Sequence, residues 1–118
     1  MQLAVYTRLV KSLAAPFRRF RVEDTSMQPT LRPGDHLVIL TWPGSARPGD
    51  IVVLRDPEAP STFLVKRVIT RQTSGELIVG GDSPNVSRDS RHFGAVPAQL
   101  IIGRAVYRYR PPERRGRL

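Results

Sequence analysis

Short apolar runs alternate with turn-forming clusters along most of this chain. After Arg21 the runs are "HLVIL" from His36, "IVVLR" from Ile51, "STFLVKRVIT" from Ser61, "ELIVG" from Glu76 and "LIIGRAVYRYR" from Leu100. Between them lie "DPEAP", "TSGE" and "GGDSPN". Apolar, β-branched segments separated by Gly, Pro, Asp and Asn read as strands joined by regular turns. The expected fold is all-β, a partly open barrel or sandwich of short strands. The tetrapeptide "RPGD" occurs twice, at Arg32–Asp35 and Arg47–Asp50, each time just before an apolar run. Pro then Gly suits the two central positions of a type II turn. This is one turn device used twice, not a solenoid period.

The first twenty residues keep a different rhythm. Leu3, Tyr6, Val10, Leu13, Phe17 and Phe20 recur at spacings of three and four, which is one stripe of a helix. Arg8, Lys11, Arg18 and Arg19 lie off the stripe, and Pro16 kinks or ends it. The pattern predicts a short basic amphipathic helix within residues 1–21. A bilayer-spanning helix needs roughly 20 apolar residues. Arg8 and Lys11 interrupt this one too early, and the apolar centre of a secretory signal is missing. No transmembrane helix is expected. Two uses fit the stripe: lying on a membrane surface, or docking on the chain's own domain. At the other end, "RPPERRGRL" is rich in Pro and Arg and reads as a flexible basic tail. The expected organisation is a helix over 1–21, one domain over 22–110 and a tail over 111–118.

Composition narrows the chemistry. A chain of 118 residues can bury a core of its own. The absence of Cys excludes disulfides, thiolate nucleophiles and cysteine metal sites. A net charge of +9 fits anionic partners such as nucleic acid, anionic lipid or an acidic protein. It fits a solvated basic surface equally well.

Ser26 stands in the polar segment "TSMQPTLRPGD". A serine hydroxyl is a poor nucleophile until a base takes its proton. His36 opens a strand and His92 follows "DSR" in a polar loop; neither sits in an obvious triad. Lys66 is the stronger candidate. Strand alternation in "FLVKRVI" puts Leu64, Lys66 and Val68 on one face and Phe63, Val65, Arg67 and Ile69 on the other. Burial lowers a lysine pKa by up to ~3–5 units, and a neutral amine is a competent general base. An edge-strand lysine whose ammonium snorkels to solvent is the competing reading, and on the strand alone it leads.

Taken together, "SMQPTLRPGD", "RPGDIVVLRDP", "FLVKRVI" and "GGDSPNVSRDSRHFGAVP", in that order, resemble the type I signal peptidases, the serine–lysine endopeptidases of peptidase family S26. The resemblance runs from about Val22 to Tyr107. It implies that 22–110 is a catalytic domain with the signal-peptidase fold. It implies Ser26 as nucleophile, Lys66 as general base and Ser87 as the hydroxyl that orients the lysine amine. The Ser26 backbone N–H would serve the oxyanion. Asp89 and Arg91 match a bracing pair, Ser90 lies in the same segment, and Arg67 follows the lysine. Met27 packs beside the nucleophile, Pro29 shapes its loop, and Gly81 and Asp82 form the turn carrying the last motif. Ser83 stands where the family usually has Asn. Asp24 stands where many bacterial signal peptidases have a serine whose hydroxyl helps bind the oxyanion, and an ionised carboxylate cannot donate that hydrogen bond.

The implied reaction is removal of an N-terminal signal peptide or propeptide from a protein precursor bound as an extended strand. Small residues, typically Ala, would stand first and third before the cut. No metal or organic cofactor is implied. Typical signal peptidases carry a membrane anchor and an inserted β-domain, and neither is expected here. In size and motif order the chain is similar to the maturation proteases of nickel-type superoxide dismutase; nickel would belong to the substrate. The alternatives are a general signal peptidase I acting at the membrane, or a non-catalytic basic β-module binding lipid or nucleic acid. The first reading expects no nucleic acid partner, and a cytoplasmic or peripherally membrane-associated location.

Overall fold

The computed structural model of the chain describes residues 3–5, 17–41, 46–83 and 88–118. They form one antiparallel sheet of strands β1 (Leu3–Val5), β2 (Phe17–Val22), β3 (His36–Leu40), β4 (Ile51–Asp56), β5 (Ala59–Arg71), β6 (Leu77–Gly80), β7 (Ile101–Arg110) and β8 (Gly116–Arg117). The spatial order is β1-β2-β3-β7-β4-β5-β6, with β8 also pairing β7. The sheet curls enough to bring β1 against β5. One four-residue helix, α1 (Ser90–Phe93), follows β6. The all-β expectation holds.

Alternation decides how the sheet buries residues. In β4, Ile51 and Val53 join a core with Phe20, Met27, Leu31, Leu37, Ile39 and Val65. Val52 and Leu54 join a second core on the other face, with Leu64, Val68, Leu77, Val79 and Val96. The central strands are therefore apolar on both faces, which explains why β4 reads as a run rather than as alternation.

Both "RPGD" segments form the expected turn. Asp35 N–H donates to Arg32 O at 3.0 Å, and Asp50 N–H to Arg47 O at 3.0 Å. Gly34 and Gly49 have φ of 91° and 93°, the left-handed value that position i+2 of a type II turn demands. Each turn is also stitched to a distant strand. Gly34 N–H donates to Val22 O, where β2 ends. Gly49 N–H donates to Val68 O, and Val68 N–H returns to Asp50 O, two residues beyond Lys66.

Two expectations are corrected at the ends of the chain. The helix expected within residues 1–21 is not what its two ends form. Leu3–Val5 pairs with Phe20–Val22, and Phe17–Arg21 pairs with His36–Leu40. Phe20 and Val22 are buried while Arg21 between them is exposed, a period of two that the longer helical stripe concealed. Residues 6–16 lie outside the described residues. The tail expected to be flexible is ordered: Pro112–Arg114 makes a 3-10 turn, β8 pairs with Tyr107 and Arg108, and Leu118 packs on the first core. Its anchor is electrostatic. Asp35 is buried, and a buried carboxylate requires a charged partner; Arg108 and Arg114 reach it at 3.2 and 3.1 Å.

Gly103 on β7 is a residue the sequence did not single out. A Cβ there would stand 2.3 Å from Leu40 O on the neighbouring strand. Gly103→Ala should therefore destabilise the chain by about 1–3 kcal/mol through overpacking. Denaturant unfolding measures it, and an unchanged midpoint would mean that β3 and β7 are less closely apposed than described.

Candidate active site

The segment from Asp24 to Leu31 leaves β2 and turns back toward β3. Gln28 N–H bonds Thr25 O at 3.1 Å and Leu31 N–H bonds Met27 O at 2.9 Å. Met27 and Leu31 point into the first core. Those two anchors hold the turn that carries Ser26, which is only 4% exposed. Pro29, after a cis peptide bond, is exposed on the outside of the turn.

Lys66 enters from β5. Its neighbours on the same face, Leu64 and Val68, lie in the second core, and Lys66 is itself fully buried. The snorkelling alternative is thereby excluded. Lys66 Nζ stands 3.1 Å from Ser26 Oγ. Burial in apolar surroundings pushes the Lys66 pKa down, and Arg91 pushes the same way. The carboxylates of Asp24 and Asp89 oppose the shift without reversing it. An amine so placed can accept a proton from the serine hydroxyl and later return it.

Three further segments brace the pair. Arg67, next to Lys66, makes a two-pronged bond to Asp82 at 3.1 and 2.6 Å, and Thr30 Oγ1 donates to the same carboxylate at 2.6 Å. Burial alone would raise the Asp82 pKa; Arg67 and Thr30 outweigh it and hold the carboxyl below its usual range. Ser83 N–H donates to Ser26 O at 2.9 Å. The strand carrying Lys66, the turn carrying Ser26 and the Gly81–Ser83 segment are thus tied to one another.

Asp89 caps helix α1, accepting from Arg91 N at 2.9 Å and from the Arg91 guanidinium at 3.0 and 3.1 Å. Arg91 and the Gly81 backbone help to hold the buried Asp89 carboxyl ionised against the upward push of burial. Ser90 Oγ accepts from Val79 N–H on β6 at 2.8 Å. Ser87 lies outside the described residues.

The histidines are elsewhere: His36 stacks edge-on to Tyr109, and His92 accepts weakly from Asp89 N–H at the helix cap. Sequence reasoning missed Thr30 and the Arg108–Asp35–Arg114 group. Arg108 Nη1 donates to Thr30 O at 2.8 Å, so the C-terminal segment holds the Ser26 turn from behind. The repeated "RPGD" marked Asp35 only as a turn residue, and nothing in the sequence linked it to residues 108 and 114. Among the described residues no cluster of His, Asp and Glu could hold a metal.

Asp24 adds an unforeseen contact. Its Oδ1 accepts the Ser26 backbone N–H at 3.1 Å.

The family described as "Signal peptidase, peptidase S26" matches residues 2–72 and 70–110. The chain belongs to that family. Subunit 1b of the mitochondrial ATP-independent inner membrane protease of Arabidopsis thaliana is 36% identical over 112 residues, covering 73% of this chain and 66% of the relative. Subunit 2 of the mitochondrial inner membrane protease of Mus musculus is 34% identical over 122 residues, covering 83% and 70%. A probable signal peptidase I-1 of Synechocystis sp. is 29% identical over 143 residues, covering 82% and 73%. The chain spans 66% and 54% of the lengths of two Arabidopsis relatives, subunits 1b and 1a.

The depressed Lys66 pKa has a thermodynamic consequence. Between the native pKa and the unfolded value of ~10.4, the unfolded chain binds more protons, so stability rises with pH across that window. Below it the burial penalty is present in full. Lys66→Met should be more stable than the parent at neutral pH, and the difference should shrink as pH rises toward ~10.4. Urea unfolding of both proteins at several pH values measures this, and a pH-independent difference would mean that Lys66 is not desolvated.

Proposed function

We propose that this chain is a serine endopeptidase in which Ser26 and Lys66 cleave an N-terminal segment from a protein precursor. The observation that carries the reading is the 3.1 Å approach of a fully buried lysine amine to a buried serine hydroxyl. Neutral Lys66 accepts the Ser26 proton as Oγ attacks the scissile carbonyl carbon. The ammonium then gives that proton to the leaving amine, and an acyl-enzyme ester remains on Ser26. Water, deprotonated by the same amine, releases the acid product and frees Ser26. Ser87 orients the lysine through its hydroxyl, a role supported by motif position. Arg67, Asp82, Asp89, Ser90 and Arg91 hold the segments around the pair, a role their bonding supports.

The substrate is taken to be an extended peptide lying along strand edges, with a small residue before the cut. The relatives named as mitochondrial inner membrane proteases and signal peptidase I support processing at a membrane. Among the described residues no helix is long and apolar enough to cross a bilayer, and the net charge of +9 supports peripheral attraction to anionic lipid. The finer reading, maturation of a nickel-type superoxide dismutase precursor, is supported by motif order.

Ser26→Ala and Lys66→Ala should each abolish cleavage of a quenched peptide with Ala first and third before the cut, with circular dichroism unchanged. Parent activity should rise with pH through an apparent pKa well below ~10.4. Activity retained in either variant, or a flat profile from acid to neutral pH, would overturn the dyad. N-terminal sequencing of precursors that accumulate uncut in a deletion strain separates the substrate readings.

A further inference from the structure

The Asp24 contact bears on what the site does before substrate arrives. When Ser26 Oγ attacks a carbonyl, the carbonyl oxygen gains negative charge. The nucleophile's own backbone N–H is a donor suited to receive it. Here that N–H already donates to Asp24 Oδ1 at 3.1 Å. One N–H cannot serve two anions well, and a carboxylate beside a forming oxyanion repels it. The carboxylate is also one of the charges facing Lys66. Among the described residues, these are Asp24 from the turn after β2, and Asp89 and Arg91 from the start of α1. Asp24 and Asp89 favour the ammonium, the form that cannot take the Ser26 proton. Asp24 is half-buried, and its neighbours Glu23 and Thr25 are exposed.

We propose that Asp24 is a resting lock on this site: its carboxylate occupies the Ser26 N–H that the substrate's carbonyl oxygen needs, and productive binding requires that carboxylate to swing away. The inference rests on the serine–lysine reading above. It assigns Asp24 a positioning role, acting through the Ser26 amide. The competing account is a plain turn cap, since Asp commonly accepts an N–H two residues on. That account makes Asp24 helpful to the fold and gives it no effect on rate beyond stability.

The two accounts part on conservative variants. Asp24→Asn removes the charge and leaves a neutral, weaker acceptor that a forming oxyanion can displace from the Ser26 N–H. Asp24→Ser keeps a weaker cap and adds a hydroxyl that can donate. Both should retain the parent's melting temperature to within a few degrees. On the alkaline plateau of the rate profile, where Lys66 is neutral in every protein, kcat on the quenched Ala-containing peptide should still rise, by roughly tenfold, in both variants.

A second readout does not need turnover. The chain has two lysines, Lys11 and Lys66, so isotope-labelled lysine gives two NMR signals, which Lys66→Ala assigns. The Lys66 titration should move to lower pH in Asp24→Asn, and the acid limb of the rate profile should move with it. If the parent cleaves while both variants cleave no faster on that plateau, Asp24 is a cap and the lock is overturned, whether or not the Lys66 titration moves. If parent and variants all fail to cleave, the peptidase reading falls and takes the lock with it, a result distinct from the first.

Discussion

Lys66 brings its amine to 3.1 Å from Ser26 Oγ in a place sealed from solvent, and the surrounding structure follows from that placement. A charged ammonium in an apolar strand is strongly disfavoured. Here Lys66 is fully buried beside Leu64 and Val68, so its pKa lies below that of a free lysine. The nearby Asp24 and Asp89 carboxylates limit the shift, and Arg91 draws the Asp89 charge toward itself. Among the described residues, burial and Arg91 lower the lysine pKa while Asp24 and Asp89 oppose them.

Precision around the pair comes from carboxylates that join segments distant in sequence. Asp82 ties Arg67 on β5 to Thr30 in the Ser26 turn. Asp89 caps α1 while Ser90 pins that helix to β6. Asp35, in the first of the two repeated turns, gathers Arg108 and Arg114 beneath the same Ser26 turn. Each of these carboxylates is buried or half-buried with an arginine against it. An arginine can meet a carboxylate through two parallel bonds, which fixes orientation as well as distance. A chain with so few lysines and so many arginines has the side chains this arrangement needs.

Most of the sheet was legible because apolar runs and Pro-Gly turns are local signals, and both "RPGD" turns formed where their residues demand. Ser26, Lys66 and the Asp89–Arg91 segment were legible as motifs. The alternation around Lys66 named its face but could not say whether that face was covered; burial depends on what packs over β5, which one strand does not encode. The N-terminal segment misled because Phe17 and Phe20 fit a helical stripe, while pairing with β3 over Phe17–Arg21 and with β1 at Val22 selected the shorter period. The tail misled because Pro- and Arg-rich composition usually means fraying; nothing local announced that Asp35 was waiting for Arg114. The Asp24–Ser26 contact could be anticipated only as a missing donor, since which way the carboxylate turns is a matter of loop geometry.

The central claim is that Ser26 becomes covalently acylated with Lys66 as its base. The most direct test is an acid quench of a cleavage reaction within the first turnover, followed by peptide mapping by mass spectrometry. The account predicts an adduct carrying the mass of the N-terminal fragment on the peptide containing Ser26. It should form faster as pH rises toward the alkaline side, and be absent in Lys66→Ala. An adduct on another serine, or cleavage through a first turnover with no adduct on Ser26, would contradict it.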